Sequence, residues 1–432
     1  MSHLTRRGLL IGGAGVAAVA LQPEIAHATT PTTPTSTRTV PFTLNATVLD
    51  GGEQVTSLTL DTSDFGMIDP ASLTTGTFKV HAKATSPIPV IPPDLIFSEY
   101  DLDRAVTGAR LEHGKIILDL ATTDGVTGGG TLGYILSISR NVLLNLVYTI
   151  TQTAPLKLRN HASLTLPGFT QGKLVDPEVD VYSYHKSADG MKYRLFSPTQ
   201  GGGWERSSGH GKRPLIVWLH GGGEGGSLPN NYYDNESLLR ANRGALGFST
   251  SEAQKIFGGA YVFAPQAESF WLENGPVYSP RVRAMILDLV RRYPIDASRI
   301  YLAGCSNGGY LTMEMTSLYH DLFAAAVPIC GVVKNFPHPG DINLTDAQLK
   351  SITTPSWLVC AASDTTVPPV DNSIPAHALI PGSILTEYPT VTWNGITYVG
   401  HWSWIYVARN DPQHDGQHIW QWMASKRLPT GR

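Results

Sequence analysis

Cysteine is scarce in this chain of 432 residues, which contains only Cys305, Cys330 and Cys360. So few cysteines exclude the disulfide framework on which small exported domains often depend. Each of them lies at or near the end of an apolar segment that predicts a core strand. We therefore expect three buried thiols that pack as small apolar side chains.

The chain also lacks a block of basic residues. Its 32 lysines and arginines are balanced by 35 aspartates and glutamates, for a formal net charge of −3. This balance argues against nucleic acid and against an anionic membrane surface as a partner. No motif signals a cofactor or a metal site, so we expect neither.

No apolar run is long enough to span a membrane comfortably, which takes about 20 residues. The run at residues 9–21 is broken by small residues, follows arginines at positions 6 and 7, and precedes an Ala-His-Ala sequence at residues 26–28. This order is typical of a twin-arginine signal peptide, with a membrane anchor as the alternative. We predict a signal peptide over residues 1–28 and a secreted, periplasmic or cell-envelope protein without a stable membrane span.

The remaining chain divides by pattern into two domains. Residues 29–38 are rich in threonine, proline and serine and predict a linker. Residues 39–165 form short runs of alternating apolar and polar residues without a long amphipathic helix, which predicts an all-β sandwich. After a second linker over residues 166–178, residues 179–432 alternate apolar strands with helices, as in a doubly wound, mostly parallel sheet.

Several segments of the second domain carry this prediction. We expect an opening hairpin from residues 181–185 and 191–196, and an amphipathic helix at residues 281–292. The predicted parallel strands lie at residues 215–219, 260–264, 300–303, 324–329 and 357–360.

The pentapeptide Gly-Cys-Ser-Asn-Gly at residues 304–308 is the most informative motif of the sequence. An apolar run precedes it and a helix-like segment follows, which is the context that a nucleophile elbow needs. Gly304 and Gly308 avoid collisions that side chains would make with the neighbouring strand and helix in so tight a turn. We therefore predict that Ser306 is a nucleophile held in a strained backbone conformation above a helix N-terminus.

A glycine-rich turn, His-Gly-Gly-Gly at residues 220–223, directly follows the predicted strand at residues 215–219. Glycines in such a turn let backbone N–H groups approach a substrate oxygen. We expect Gly222 and Gly223 to form one half of an oxyanion hole, and the N–H of Asn307 to form the other. The alternative is a loop that merely turns the chain.

The acid of a catalytic triad is expected after the elbow, at the end of a later strand. Asp364 fits because it follows the predicted strand at residues 357–360 and precedes a Thr-Thr-Val-Pro sequence. Asp321, Asp341 and Asp371 are the other candidates.

The base is expected last in the chain, and His401 lies after a strand-like segment and before the C-terminal helix. His414 and His418 are alternatives, but a solvated position on or beside that helix explains both. The order Ser306, Asp364, His401 is the order of an α/β-hydrolase triad and differs from that of other serine-hydrolase folds.

Taken together, these motifs resemble the α/β-hydrolase esterases of the group that includes feruloyl esterases and polyhydroxybutyrate-depolymerase-like enzymes. The resemblance is strongest to members preceded by an immunoglobulin-like domain and covers the chain from about residue 39 to the C-terminus. It implies an α/β-hydrolase fold behind an all-β immunoglobulin-like sandwich. Relatives often place an arginine after the glutamate that corresponds to Glu224, where this chain has glycine, so a role for Glu224 beyond a charge at a helix entry stays open. The segments that carry the resemblance lie at residues 220–224, 264–266, 304–309, 328–331, 364–368 and 400–404.

The resulting hypothesis is an exported serine esterase that hydrolyses small or polymeric carboxylic esters through an acyl-enzyme. A serine peptidase of the prolyl-oligopeptidase type and a non-catalytic surface-binding protein are the rival hypotheses. Trp271, Tyr310 and Trp402 are candidate substrate contacts, with core packing as the alternative. We expect residues 39–165 to carry no catalytic group and instead to pack on the hydrolase, shape its cleft or mediate self-association as a homo-oligomer. A chain that begins near Gln171 should then keep a competent triad.

Overall fold

The computed structural model describes residues 39–122, 128–198, 211–226 and 232–429. The predicted signal peptide and first linker therefore lie outside the described residues. No helix in these ranges is both long and apolar enough to cross a membrane.

In the described residues 39–122 and 128–175, the first region contains strands and two short 3-10 turns. Its strands are β1 (Val40–Leu49), β2 (Gly52–Leu60), β3 (Phe78–Thr85), β4 (Ile96–Phe97), β5 (Tyr100–Arg104), β6 (Val106–Glu112), β7 (Lys115–Leu120), β8 (Leu132–Ile135), β9 (Arg140–Leu143), β10 (Asn145–Gln152), β11 (Leu156–Lys157), β12 (Ser163–Leu164) and β13 (Phe169–Val175).

Two sheets of this region share one core. One sheet has the order β13-β1-β2-β7-β6 and the other β10-β3-β5. Strand β1 alternates buried and partly exposed residues, as expected of a strand with one face in a core. Its inward side chains, such as Phe42 and Leu44, join Val80 of β3 and Ile150 of β10 in the same apolar cluster. The predicted all-β sandwich is therefore confirmed.

A third sheet of this region has the order β4-β8-β9. In its register Phe97 of β4 is opposite Tyr134 of β8, and Tyr134 is opposite Asn141 of β9. Because residues directly opposite each other share a face, these three side chains project from one side of the small sheet.

The predicted linker at residues 166–178 was wrong. Strand β13 lies within it and pairs in parallel with β1, with Val40 opposite Phe169. Without β13, strand β1 would be an edge strand with unpaired backbone groups. The segment also ends in helix α1 (Pro177–Asp180), capped by the Asp176 side chain.

The second region contains one large sheet. Its strands are β14 (Tyr182–Lys186), β15 (Lys192–Phe196), β16 (Arg213–Leu219), β17 (Tyr261–Pro265), β18 (Ile295–Cys305), β19 (Ala325–Ile329), β20 (Trp357–Ala361) and β21 (Ile384–Tyr388). Their order is β14-β15-β17-β16-β18-β19-β20-β21. The first three strands are joined by antiparallel pairing, and the remaining pairs are parallel. The predicted hairpin and parallel strands are confirmed.

Helices cover both faces of this sheet. They are α2 (Ser237–Arg240), α3 (Gly244–Ser249), α4 (Ser251–Phe257), α5 (Gly275–Arg292), α6 (Asn307–Leu318), α7 (Asp346–Ser351), α8 (Ser373–Leu379), α9 (Trp404–Ala408) and α10 (Ile419–Ser425). Helix α5 begins earlier than predicted, with Pro276 in its first turn, where a missing N–H costs nothing. Two short hairpins complete the chain, β22 (Val391–Trp393) with β23 (Ile396–Tyr398) and β24 (Gln413–His414) with β25 (Gln417–His418).

Side chains of the central strands alternate between two cores. Trp218 of β16 belongs to one apolar cluster, while Val217 and Leu219 belong to the other. This alternation is expected of a sheet that is buried on both faces. The cysteines Cys305, Cys330 and Cys360 are buried and unpaired, as predicted.

Candidate active site

The turn between β18 and α6 has the geometry of the predicted elbow. Ser306 connects the two elements with φ 54° and ψ −114°. Residues other than glycine rarely adopt these backbone dihedral angles. Its N–H donates to the carbonyl oxygen of Ile329 at the end of β19, at 2.8 Å. The residue is partly exposed, so a hydroxyl in a strained turn faces solvent at the carboxyl edge of the sheet.

Both flanking glycines are required by the space around them. A Cβ at Gly304 would lie 2.5 Å from the carbonyl oxygen of Gly308 and 2.8 Å from Cβ of Leu219. A Cβ at Gly308 would overlap the carbonyl oxygens of Leu219 and His220. The collisions expected from the sequence are therefore present on both sides of the serine.

His401 and Asp364 form a buried pair near this turn. Nδ1 of His401 lies 2.7 Å from Oδ2 of Asp364. The other carboxylate oxygen accepts the backbone N–H groups of Thr366 and Val367, both at 2.9 Å. Asp364 follows β20, so its loop satisfies the carboxylate and orients it toward the imidazole.

Cys330 connects this pair to the elbow. Cys330 follows Ile329, which accepts the N–H of Ser306, and the Cys330 thiol donates to the carbonyl oxygen of His401 at 3.3 Å. The sulfur of Cys330, a carboxylate oxygen of Asp364 and a ring nitrogen of His401 lie within 4.8 Å of one another. Ser306 and Asp364 thus follow β18 and β20, the strands on either side of β19, and Cys330 at the end of β19 links the elbow to His401.

The environment of His401 changes its basicity. Burial lowers the pKa of the imidazole, but the adjacent Cys330 and the hydrogen-bonded Asp364 carboxylate outweigh burial and raise the pKa above its ordinary value of 6.5. The bond to Asp364 leaves Nε2 as the nitrogen available to a serine hydroxyl.

The glycine-rich loop lies at the end of β16 and is supported by His220. This side chain is buried, and its Nε2 accepts the N–H of Ala267 at 3.0 Å. Its Nδ1 therefore carries the proton and donates to the carbonyl oxygen of Gly221 at 2.6 Å. Burial lowers the pKa of His220 to about 3, so it is a neutral support of the loop.

The candidate oxyanion donors come from this loop and from the first residue of α6. Gly222 and Gly223 are partly exposed and begin a 3-10 turn that ends at Glu224. Asn307 is the first residue of α6, and its side-chain oxygen accepts the N–H of Leu272 at 2.9 Å. A Cβ at Gly222 would lie 3.7 Å from Nδ2 of Asn307, so the two predicted halves of the hole are adjacent.

The alternative acids lie elsewhere. Asp321 is exposed, Asp341 lies 3.3 Å from Nδ1 of His338, and Asp371 lies 3.7 Å from Nζ of Lys334.

The alternative bases are exposed in the short β24–β25 hairpin. Nε2 of His414 lies 3.4 Å from Asp415, and Nδ1 of His418 donates to the carbonyl oxygen of Asn410. These contacts are local, whereas His401 is bonded to Asp364.

Two of the three candidate substrate contacts are corrected by the structure. Trp271 is fully buried, and its indole N–H donates to the carbonyl oxygen of His220 at 3.0 Å. Tyr310 is buried, and its hydroxyl bonds to Glu314. Both belong to the core because their polar atoms have internal partners. Trp402 is partly exposed and its ring packs near Trp404, so it stays a candidate.

Sequence reasoning missed the residues that reach this site from the first region. The Asn141 amide contacts Glu224, and Arg140 donates to the carbonyl oxygen of Gly226 at 2.9 Å. Neither residue belongs to a motif, and both are more than 80 positions away in the chain from the groups they touch. No local signal in the sequence identifies such pairs.

Known proteins are similar to parts of this chain. A model of the prolyl oligopeptidase family matches residues 270–341, which include the elbow. The chain is similar to a probable acetylxylan esterase A of Aspergillus flavus, at 31% identity over 191 residues, which cover 38% of this chain and 60% of that protein. It is also similar to feruloyl esterase B of Neurospora crassa, at 30% identity over 129 residues, which cover 28% of this chain and 40% of that protein.

One solved structure is similar over nearly the whole chain. It is described as the crystal structure of a thermostable esterase, with a TM-score of 0.69 and 22% identity. The match covers 89% of this chain and 99% of that chain, so the all-β region and the hydrolase-type sheet occur together in both proteins.

Proposed function

We propose that this chain, which has the α/β-hydrolase fold, is an exported serine esterase that hydrolyses carboxylic esters through Ser306, His401 and Asp364. One observation carries the proposal: a buried His401–Asp364 pair at 2.7 Å is linked through Cys330 to the strand end that binds the N–H of Ser306 in its strained elbow. The esterase names of the relatives support this reaction class.

In the proposed reaction, Nε2 of His401 takes the Ser306 proton while the serine oxygen attacks the ester carbonyl carbon. Asp364 holds the imidazole in the required tautomer and stabilises its charged form. The N–H groups of Gly222, Gly223 and Asn307 stabilise the oxyanion. The imidazolium then protonates the leaving alcohol, and water, activated by the same histidine, releases the acid from the acyl-enzyme.

The test of this proposal is the Ser306→Ala variant. We expect ester hydrolysis and labelling by a fluorophosphonate to disappear, while the thermal midpoint stays within a few degrees because a partly exposed hydroxyl contributes little to packing. Ser317→Ala is a matched control, since the Ser317 hydroxyl donates to the backbone carbonyl oxygen of Glu314 within α6. Retention of more than a few per cent of the activity would place the nucleophile elsewhere.

A peptidase is the second candidate, because the matched family model is one of prolyl oligopeptidases. Parallel assays of peptide amides and of short, long, aryl and polymeric esters separate the two reactions. Acetylated sugars and feruloyl esters belong in the panel because of the names of the relatives. A higher kcat/KM for amides than for every ester would favour the peptidase.

A non-catalytic binding role is the third candidate. Failure of the unmodified chain to react with a fluorophosphonate would support that role and overturn the esterase proposal.

A further inference from the structure

The β8–β9 hairpin (residues 132–143) of the first region reaches the glycine-rich loop of the candidate active site. The buried Arg140 side chain donates through Nε to the carbonyl oxygen of Gly226 at 2.9 Å. The N–H of Leu143 donates to the hydroxyl of Tyr232 at 2.6 Å. Hydrogen bonds from the first region therefore support the glycine-rich loop that we expect to bind the oxyanion.

Asn141 contacts this loop directly at Gly223 and Glu224. Its Nδ2 donates to Oε1 of Glu224 at 3.3 Å. A Cβ at Gly223 would lie 2.7 Å from the same nitrogen, so the amide lies against the Cα of Gly223. The Tyr134 ring lies 3.6 Å from that Cβ position. Tyr134 shares a face of the β4-β8-β9 sheet with Asn141.

Arg140 reaches the other glycine through an aromatic ring. Its guanidinium carbon lies 3.5 Å from the centroid of the Phe270 ring. The Phe270 ring in turn lies 2.9 Å from the position of a Cβ at Gly222. Adjacent residues of the hairpin thus support both candidate donors of the glycine-rich loop, Asn141 by contact with Gly223 and Arg140 through the Phe270 ring beside Gly222.

Glu224 is a buried acidic residue among these contacts. Its side chain is buried, and Oε2 has no hydrogen-bond partner among the described residues. Burial raises the pKa of Glu224 to about 7, against the effects of backbone N–H groups in the loop and of the charges on Arg140 and His401. A buried carboxyl group is costly, and the Asn141 amide is the side-chain donor that satisfies Oε1.

We propose that Asn141 is a positioning residue of the oxyanion hole: its amide holds Gly223 and Glu224 in the conformation in which the loop N–H groups face the reacting carbonyl. Arg140 and Phe270 brace Gly222 in the same way. This inference rests on the proposed esterase function and assigns part of the active-site geometry to the first region.

The consequence is a loss in kcat rather than in binding, because an oxyanion interaction strengthens only in the transition state. We expect Asn141→Ala to lower kcat about 10- to 100-fold, the size of effect that a displacement of about 1 Å produces in an active site, with KM changed less than about threefold.

Asn141→Asp separates positioning from packing. Aspartate has the size of asparagine but lacks the N–H donor, and its carboxylate would repel Glu224. We expect its loss of kcat to be at least as large as that of Asn141→Ala. If the side chain acts only by filling space, Asn141→Asp should keep the parent kcat.

The control is Asn145→Ala, since Asn145 is exposed and its amide donates to Ser86, away from the loop. Thermal midpoints of all variants are measured alongside the kinetics. Parent-like kcat in Asn141→Ala and Asn141→Asp, or a change confined to KM, would overturn the positioning role. Activity that survives Ser306→Ala would instead overturn the proposed function itself, so the two failures are distinguishable.

Discussion

The Asp364 carboxylate is one of the two groups that raise the pKa of His401, together with Cys330. Asp364 is buried and is bonded on one oxygen to the imidazole and on the other to two backbone N–H groups. These bonds orient the carboxylate, and a carboxylate at this distance favours the protonated imidazole. The sequence predicted this pair from its order and its strand context, and the structure adds the loop bonds that orient it.

Replacing Asp364 by asparagine should change both the rate and its pH dependence. Ester hydrolysis requires neutral His401, so kcat/KM should fall as pH falls through the pKa of His401, which is raised above 6.5. In Asp364→Asn we expect the acid limb to move to lower pH, because the neighbouring charge is gone, and kcat to fall about 10⁴-fold. The measurement is kcat/KM between pH 4 and 10.

Asp371→Asn serves as the control for this experiment, because Asp371 pairs only at the surface with Lys334. An acid limb that stays in place in Asp364→Asn would mean that another group sets the pKa of the base.

At the scale of elements, the elbow depends on how closely α6 approaches β16. The carbonyl oxygens of Leu219 and His220 occupy the space that a side chain at Gly308 would need. Because these are backbone atoms, they cannot move aside as a flexible side chain would. The turn is therefore fixed by packing between two elements as well as by its own sequence.

Gly308→Ala tests this packing. We expect it to destabilise the fold by about 1–3 kcal/mol or more, as overpacking in a core does, and to reduce fluorophosphonate labelling of Ser306. Thermal or urea unfolding measures the first effect and the labelling rate measures the second.

Gly211→Ala is the control, since nothing lies within 4 Å of its Cβ position. Equal stability and labelling in the two variants would show that the elbow relaxes without cost.

At the scale of the whole molecule, arginines of the hydrolase region bond to the first region. Arg240 pairs with Glu53 of β2, and with Glu236. Arg243 donates to the carbonyl oxygen of Val48, and Arg409 pairs with Asp50 at 2.8 Å. Each of these arginines comes from the hydrolase region, and each of the first-region partners comes from β1, β2 or the turn between them.

Removal of one partner should therefore be costly. We expect Arg240→Ala to lower the free energy of unfolding by about 3–5 kcal/mol, because it leaves Glu53 buried without its cation. Arg110→Ala removes a cation from exposed pairs with Glu112 and Asp119 and should cost about 1 kcal/mol or less. Urea unfolding measures both, and similar losses in the two variants would contradict the assigned role of burial.

The same contacts change the expectation for a truncated chain. A chain that begins near Gln171 would divide β13 and would leave Arg240, Arg243 and Arg409 without their first-region partners. It would also lose Asn141 from the oxyanion loop. We now expect such a chain to be unstable, with a labelling rate well below that of the full-length protein, measured at matched concentrations of folded chain.

The sequence by itself determined the elbow, the glycine-rich turn, and the chain order of Ser306, Asp364 and His401. It also determined the all-β pattern of the first region and the parallel strands of the second, apart from β13 and β21. These features are local: a tight turn needs glycine within two residues, and a strand or helix shows its period within ten or so.

The tertiary structure alone decided which distant residues meet. It placed β13 at the edge of the sandwich, turned Trp271 and Tyr310 into core residues, and brought Asn141 to Gly223. Such contacts depend on how separate elements pack, and packing leaves no fixed spacing along the chain. An asparagine in a short strand has the same local pattern whether it faces solvent or an active site, so only the folded arrangement distinguishes the two.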